Sequence, residues 1–120
     1  MIRRLLTPEA QRDPYTWCAV YSAHCWLALG PFGAIAIGWD VWTAAWVTPL
    51  LYLTLWEGLQ LFLVRRVRLA LLWDALADTT AVALACHAAA CTRHGMYYIA
   101  FWCWCASVAV MFAGWMTRDR

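Results

Sequence analysis

Three carboxylates interrupt two otherwise apolar stretches in residues 56–78, which read WEGLQLFLVRRVRLALLWDALAD. Glu57 and Gln60 are spaced i, i+3 and share one face of a helix, whereas Asp74 and Asp78 are spaced i, i+4 and share another. Carboxylates held together away from water can share a proton with one another or with a histidine. Such a group can also bind a divalent cation. The pattern is typical of a proton or cation site or of a small catalytic cluster.

These acids are expected to lie at one depth. If the chain folds back at Arg66, Glu57 lies level with Asp74 and close to Asp78. His24 lies about eight residues into an earlier apolar segment that enters from the same side, so it reaches a similar depth. Ionisable residues inside a membrane usually face the interior of the helix bundle. We therefore predict one polar intramembrane cluster made of the following residues: His24, Glu57, Gln60, Asp74 and Asp78.

A structural role competes with that interpretation. Arg65, Arg66 and Arg68 lie only one or two helical turns from the acids. The carboxylates could extend toward these arginines and hold the bundle together without binding anything. The three arginines would then act as a cytoplasmic anchor between two membrane spans.

A second group of side chains could bind a soft metal ion. Cys86, His87, Cys91 and His94 lie near the end of one apolar segment, but their spacing matches no common zinc pattern. Cys86 and Cys91 also fall on different faces if the helix continues. We therefore predict no metal and no cofactor. The six cysteines are expected to be buried thiols, with a bridge from Cys91 to Cys103 as the alternative.

The elements that position these residues follow from the composition. The chain has 120 residues, of which 65% are hydrophobic and 13% charged, and its mean hydropathy is +0.59. A soluble domain of this size could not bury so much apolar surface, so the chain belongs to the class of membrane proteins. Four segments are long enough to cross a bilayer, at about 16–38, 43–64, 69–90 and 96–116.

The predicted fold is all-α, a single domain over residues 1–120 that forms a bundle of four transmembrane helices. Pro31 and Pro49 should kink or loosen the first two. Of the nine basic residues, Arg93 alone falls on one side of the membrane. The positive-inside rule then places both termini in the cytoplasm, with the chain as a multi-pass membrane protein.

The hairpin resembles the signature of VanZ-like membrane proteins. That family tends to show Glu-x-x-Gln-Leu-Phe near the end of one span, then an Arg, and an Asp-x-x-x-Asn step in the next span. The matching residues here are Glu57, Gln60, Arg65 and Asp74, with Asp78 where the family has Asn. The resemblance covers about 25 residues and implies a polytopic envelope protein of undefined biochemical activity.

The size and topology are also similar to those of phage and prophage holins, which oligomerise and open lesions in the inner membrane. No phosphate-binding Gly loop or nucleophile elbow is present. We therefore expect a small non-enzymatic inner-membrane protein with a buried polar cluster. A holin-like pore former is one alternative, and an enzyme or carrier acting on a lipid-linked substrate is another. The expected partners are the lipid bilayer and, as an option, further copies of the chain, but no nucleic acid.

Overall fold

The computed structural model describes residues 13–63 and 69–118. Over these two ranges the chain is helical and contains no β-strand. The prediction of an all-α fold is confirmed. The predicted arginine anchor, Arg65, Arg66 and Arg68, lies outside the described residues.

The helices follow one another with short connections. In chain order they are α1 (Pro14–Leu27), α2 (Leu29–Gly38), α3 (Val41–Leu51), the π-helix π1 (Tyr52–Glu57), α4 (Gly58–Leu63), α5 (Leu69–Arg93) and α6 (Tyr97–Met116). Helix α5 is the centre of the arrangement, because α1, α2, α3, π1 and α6 all pack against it. Half of its membrane-length stretch is buried, against about a tenth of α6.

Three helical stretches are long and apolar enough to cross a membrane: Pro14–Gly38, Leu71–Arg93 and Tyr97–Met116. The chain is therefore compatible with a membrane protein. The predicted segment at 43–64 is helical over its described part, but it is divided among α3, π1 and α4.

Pro31 and Pro49 both lie next to interruptions of regular α-helix. In a continuous helix the Pro31 ring would clash with the carbonyl of the residue four positions earlier, which is Leu27. Helix α1 ends at that residue. Pro49 lies inside α3 and provides no N–H for the carbonyl of Ala45. The π-helix begins shortly afterwards, and within it the Thr54 hydroxyl donates to the Leu50 carbonyl at 2.8 Å. A missing backbone donor and a competing hydroxyl both favour a local widening of the helix.

Capping residues define the helix ends. Asp13 caps α1 by accepting from the Thr16 N–H at 2.7 Å, and Asp40 caps α3 by accepting from the N–H groups of Trp42 and Thr43. After α5 the chain turns at Gly95, which has φ 72°. The Met96 N–H donates to the Cys91 carbonyl at 2.8 Å, a Schellman closure that needs a residue with positive φ.

The two ends of the bundle are defined by contacts. At one end, here called the terminal end, Arg118 lies over the Trp17 ring and binds Asp74. At the other, the loop end, the rings of Trp42 and His94 stack with centroids 5.5 Å apart. The start of α1 and the end of α6 therefore lie at the same end of the molecule.

Most of the buried side chains are small, with Trp17 and Tyr21 as the large exceptions, and most of the large apolar side chains are exposed. Ala44, Ala45, Ala81 and Ala85 are fully buried, whereas large apolar side chains such as Ile37, at 89% exposed, cover the outside. This is the reverse of a soluble core, and it suits a surface in contact with lipid.

Candidate functional site

Two acids occupy the interior of the bundle. Glu57, the last residue of π1, is 4% exposed, and Asp78 in the middle of α5 is 5% exposed. An ionised carboxylate so far from water is costly unless it is paired or hydrogen-bonded. The neighbours of these two groups therefore decide what the site can do.

Asp78 is paired with a histidine from another helix. The Nδ1 atom of His24 on α1 lies 3.2 Å from Oδ1 of Asp78. The contact lacks the alignment of a hydrogen bond, and Nδ1 is buried without another partner among the described residues. The pair is an ionic contact only when the imidazole is protonated, so its strength depends on where a proton resides.

Glu57 is paired with a tyrosine that the sequence reasoning missed. The Tyr52 hydroxyl donates to Oε1 of Glu57 at 2.5 Å. In an α-helix, residues five apart point about 140° away from each other. The π-helix has one hydrogen-bonded turn per five residues, and it begins at Tyr52 and ends at Glu57, so it brings both onto one side. Pro49, three residues before Tyr52, and Thr54 within π1 are the sequence signals for this distortion.

Tyr52 also connects the two pairs. Its ring meets the His24 imidazole edge to face, with centroids 5.4 Å apart and an interplanar angle of 61°. Side chains from α1, π1 and α5 thus form one continuous group, here called the buried cluster: His24, Tyr52, Glu57 and Asp78.

Asp74 lies one turn closer to the terminal end and has its own partner. Arg118 Nη2 donates to Asp74 Oδ1 at 2.6 Å, and Nη1 donates to the Gly114 carbonyl at 2.9 Å. The guanidinium carbon lies 4.0 Å from the centroid of the Trp17 ring, a cation–π contact. Burial lowers the pKa of Arg118, and the nearby Asp74 carboxylate opposes that shift. The sequence indicated the central arginines as partners of the acids, whereas in the structure the partner of Asp74 is Arg118, which follows α6.

Gln60 is the predicted site residue that makes no polar contact with the cluster. It is half-buried on α4, and no hydrogen bond joins it to another residue in the described part of the chain. The other four predicted residues lie close enough to interact electrostatically, since Glu57 is influenced by His24, Asp74 and Asp78.

A polar contact between α1 and α6 borders the buried cluster. The hydroxyls of Tyr21 and Ser107 are 3.2 Å apart, and the Cys25 sulfur lies 3.7 Å from Ser107 Oγ. All three residues are buried. They form the floor of a small cavity of about 100 Å³ that opens beside Trp26 and Trp104.

The cysteine and histidine group near the loop end does not converge. His87 Nδ1 lies 2.8 Å from the Ala83 carbonyl, and its ring meets Trp46 edge to face. His94 instead stacks on Trp42. Across residues 13–63 and 69–118, no three His, Cys, Asp or Glu side chains are placed to hold a metal ion. All six cysteines are free thiols, so Cys91 and Cys103 form no bridge.

The chain matches no protein-family model, no curated protein and no solved structure. The VanZ-like and holin-like interpretations therefore stay predictions. The geometry of the polar residues is the observation from which a function can be argued.

Proposed function

We propose that this chain is a small inner-membrane protein with four spans and cytoplasmic termini. Three qualifying helices and the helical run over 41–63 support the number of spans. The meeting of the start of α1 with the end of α6 supports an even number of spans. The distribution of arginines along the sequence supports the orientation. Of the two arginines in the described ranges, Arg93 lies at the loop end and Arg118 at the terminal end.

Within this protein, the proposed activity is the reversible binding of a proton by the buried cluster, which fixes how α1, π1 and α5 pack. The observation that carries the proposal is the burial of Glu57 and Asp78, each held by a partner that can donate a hydrogen, Tyr52 and His24. The protein is then a non-enzymatic envelope protein, in line with its VanZ-like hairpin.

The balance of charge supports proton binding. The described part of the cluster region holds three carboxylates, Glu57, Asp74 and Asp78, against Arg118 and a histidine. Even with His24 protonated, these groups carry one negative charge more than they carry positive. An unbalanced buried charge is expensive, and a buried acid relieves the cost by taking up a proton. A monovalent cation could provide the same compensation.

A pore former is the second candidate, and one observation favours it. Gly30, Ala34 and Gly38 form an exposed stripe on α2, and a Cβ added at either glycine would meet nothing within 4 Å. Small residues of this kind let helices of separate chains approach closely. The buried acids favour the first proposal, however, because they face the interior of one chain and not an outer surface that copies could share.

Two measurements test the proposed function. The first is the free energy of unfolding in detergent between pH 4 and pH 9, for the wild type and for Glu57→Gln with Asp78→Asn. We expect a clear pH dependence in the wild type and a flatter curve in the double variant. Parallel curves would contradict proton binding by the cluster.

The second measurement is growth and membrane potential after induced expression, with the wild type beside Asp74→Asn with Asp78→Asn. Steady growth with an intact potential is the expected result. Sudden depolarisation by the wild type alone would indicate instead that the protein forms a pore with the acids in its conduction path.

A further inference from the structure

The two sides of the buried cluster differ in the side chains that cover them. Asp74 lies on the terminal side of Asp78, one helical turn or about 6 Å away along α5. The Asp74 side chain is 21% exposed, whereas that of Asp78 is 7% exposed. A partly exposed carboxylate on the terminal side therefore lies next to a buried one.

Toward the loop end, the cluster is closed by packed apolar side chains. The Tyr52 ring packs with Phe32 against Ala28, Val82 and Cys86, while its hydroxyl is directed to Glu57. Val82 is 1% exposed and Cys86 is fully buried. Between this layer and the loop end, the described parts of α2, α3 and α5 contain no acidic residue. The described carboxylate on that side is Asp40, which caps α3 at the loop end itself, beyond this apolar layer.

We propose that the buried cluster exchanges protons with the terminal end only, that Asp74 carries them, and that Arg118 restrains the exchange. The inference rests on the proposed function. A hydronium O–H bond breaks, leaving water, as an O–H bond forms on Asp74. That bond breaks in turn as the proton passes to Asp78, and from there to either Glu57 or His24 of the buried cluster. Each transfer moves one proton and needs no oxidant, reductant or other reactant.

Arg118 restrains the exchange because it stabilises the ionised form of Asp74. Its 2.6 Å contact with Oδ1 must loosen before that oxygen can take a proton. The bonds to the Gly114 carbonyl and the Trp17 ring hold the guanidinium in place. The arginine is a positioning residue, since it controls the proton carrier without belonging to the buried cluster.

Several titratable groups surround this route. They come from every element packed around Asp78: Tyr21, His24 and Cys25 on α1, Tyr52 and Glu57 on π1, Asp74 on α5, and Arg118 after α6. Substitutions in the test therefore change one of these groups at a time.

The test measures protonation of Glu57 while the pH on each side of a membrane is varied separately. The full chain is reconstituted in one orientation into vesicles of phosphatidylethanolamine and phosphatidylglycerol. Dicyclohexylcarbodiimide is apolar, reaches the bilayer from either side and reacts with protonated carboxyl groups. Mass spectrometry then gives the fraction of Glu57 that is modified.

We expect modification of Glu57 to follow the pH on the terminal side and to ignore the pH on the loop side. A response to the loop side, alone or in addition, would overturn one-sided exchange and leave proton binding intact. A response to neither side would overturn proton binding itself, and with it the proposed function.

Four variants locate the route. Asp74→Asn should slow the response to terminal-side pH several-fold, and Arg118→Gln should accelerate it several-fold. Asp40→Asn and Arg93→Gln make the same chemical changes at the loop end and should leave the rate unchanged. Equal rates in Asp74→Asn and the wild type would overturn the role of Asp74. Circular dichroism and size-exclusion elution establish that each variant is folded. Arg118→Lys keeps the charge beside Asp74 and should accelerate the response less than Arg118→Gln does, and equal acceleration in the two variants would overturn restraint by that charge.

Discussion

The helices of this molecule are held together by different kinds of contact in its two halves. The terminal half contains the buried cluster and Arg118, and the loop half extends from there to Trp42 and His94. In the terminal half, helices are joined by contacts between charged or polar side chains, such as Asp74 with Arg118 and Asp78 with His24. In the loop half, they are joined by fully buried small side chains, such as Ala44, Ala88 and Cys86.

Close packing of small residues needs no water and no charge, so it is the inexpensive way to join helices in lipid. The polar contacts of the terminal half cost more, because each leaves a charged group away from water. A bundle that needed only to be stable could have used small residues throughout. The difference therefore suggests that the terminal half is polar for a purpose other than holding the helices together.

The largest expected effect comes from a single methyl group at the terminal end. A Cβ at Gly114 would lie 2.1 Å from the Trp17 ring, so Gly114→Ala must displace a ring that is 1% exposed. We expect a loss of about 3 kcal/mol in the free energy of unfolding. Titration with a denaturing detergent, followed by circular dichroism, measures it.

Gly33→Ala is the matched control, since nothing lies within 4 Å of the added Cβ. This change should stabilise α2 by about 0.5–1 kcal/mol, because alanine is the better helix former. Equal effects of the two substitutions would show that Trp17 does not pack against Gly114.

The second expected effect concerns the charged contact. Arg118→Gln removes the cation from Asp74 and from the Trp17 ring. We expect a loss of about 2 kcal/mol, the value of a hydrogen bond to a charged group that is mostly buried. Arg93→Gln, at the loop end, should change the free energy of unfolding by less than about 0.5 kcal/mol. Adding Asp74→Asn should recover part of the Arg118→Gln loss, and independent, additive losses would contradict the pairing.

Part of the fold and part of the candidate site can be predicted from the sequence. Helix type and approximate extents follow from apolar length, and the common depth of His24, Glu57 and Asp78 follows from counting residues from the fold-back point. Tyr52 could not be found in that way, because an α-helical count places it on a different face from Glu57. Arg118 was missed because it follows the last apolar segment, where a side chain is expected to face water.

The third prediction concerns the loop half. The Thr48 hydroxyl is buried and faces the Cys86 thiol without a hydrogen bond of ordinary geometry. Thr48→Val keeps the shape of the side chain and removes the unsatisfied group, so it should stabilise the protein by about 1 kcal/mol. The reverse change, Val82→Thr, should destabilise it by about 1 kcal/mol. A loss of stability in Thr48→Val would mean that the loop half also depends on a polar contact.

The smallest expected effect lies at the loop end and depends on pH. Hydrogen bonds from the Thr43 hydroxyl and from backbone N–H groups hold the pKa of Asp40 below its usual range. A carboxyl with a lowered folded pKa stabilises the protein above its unfolded pKa, near 3.9. That stability is lost as the pH falls through the folded pKa. The unfolding temperature should therefore decrease below about pH 4.

Asn also caps helices but does not titrate in this range, so Asp40→Asn should remove this part of the decrease while leaving α3 intact at pH 7. Comparing the two unfolding temperatures at pH 3 and at pH 7 measures the contribution of Asp40. Any pH dependence that Asp40→Asn retains above pH 5 must come from other titratable groups, because Asp40 is ionised throughout that range. If Glu57→Gln with Asp78→Asn then removes it, the pH response belongs to the terminal half and the comparison between the halves holds. If it persists, the pH response arises outside Glu57 and Asp78 and the comparison between the halves fails.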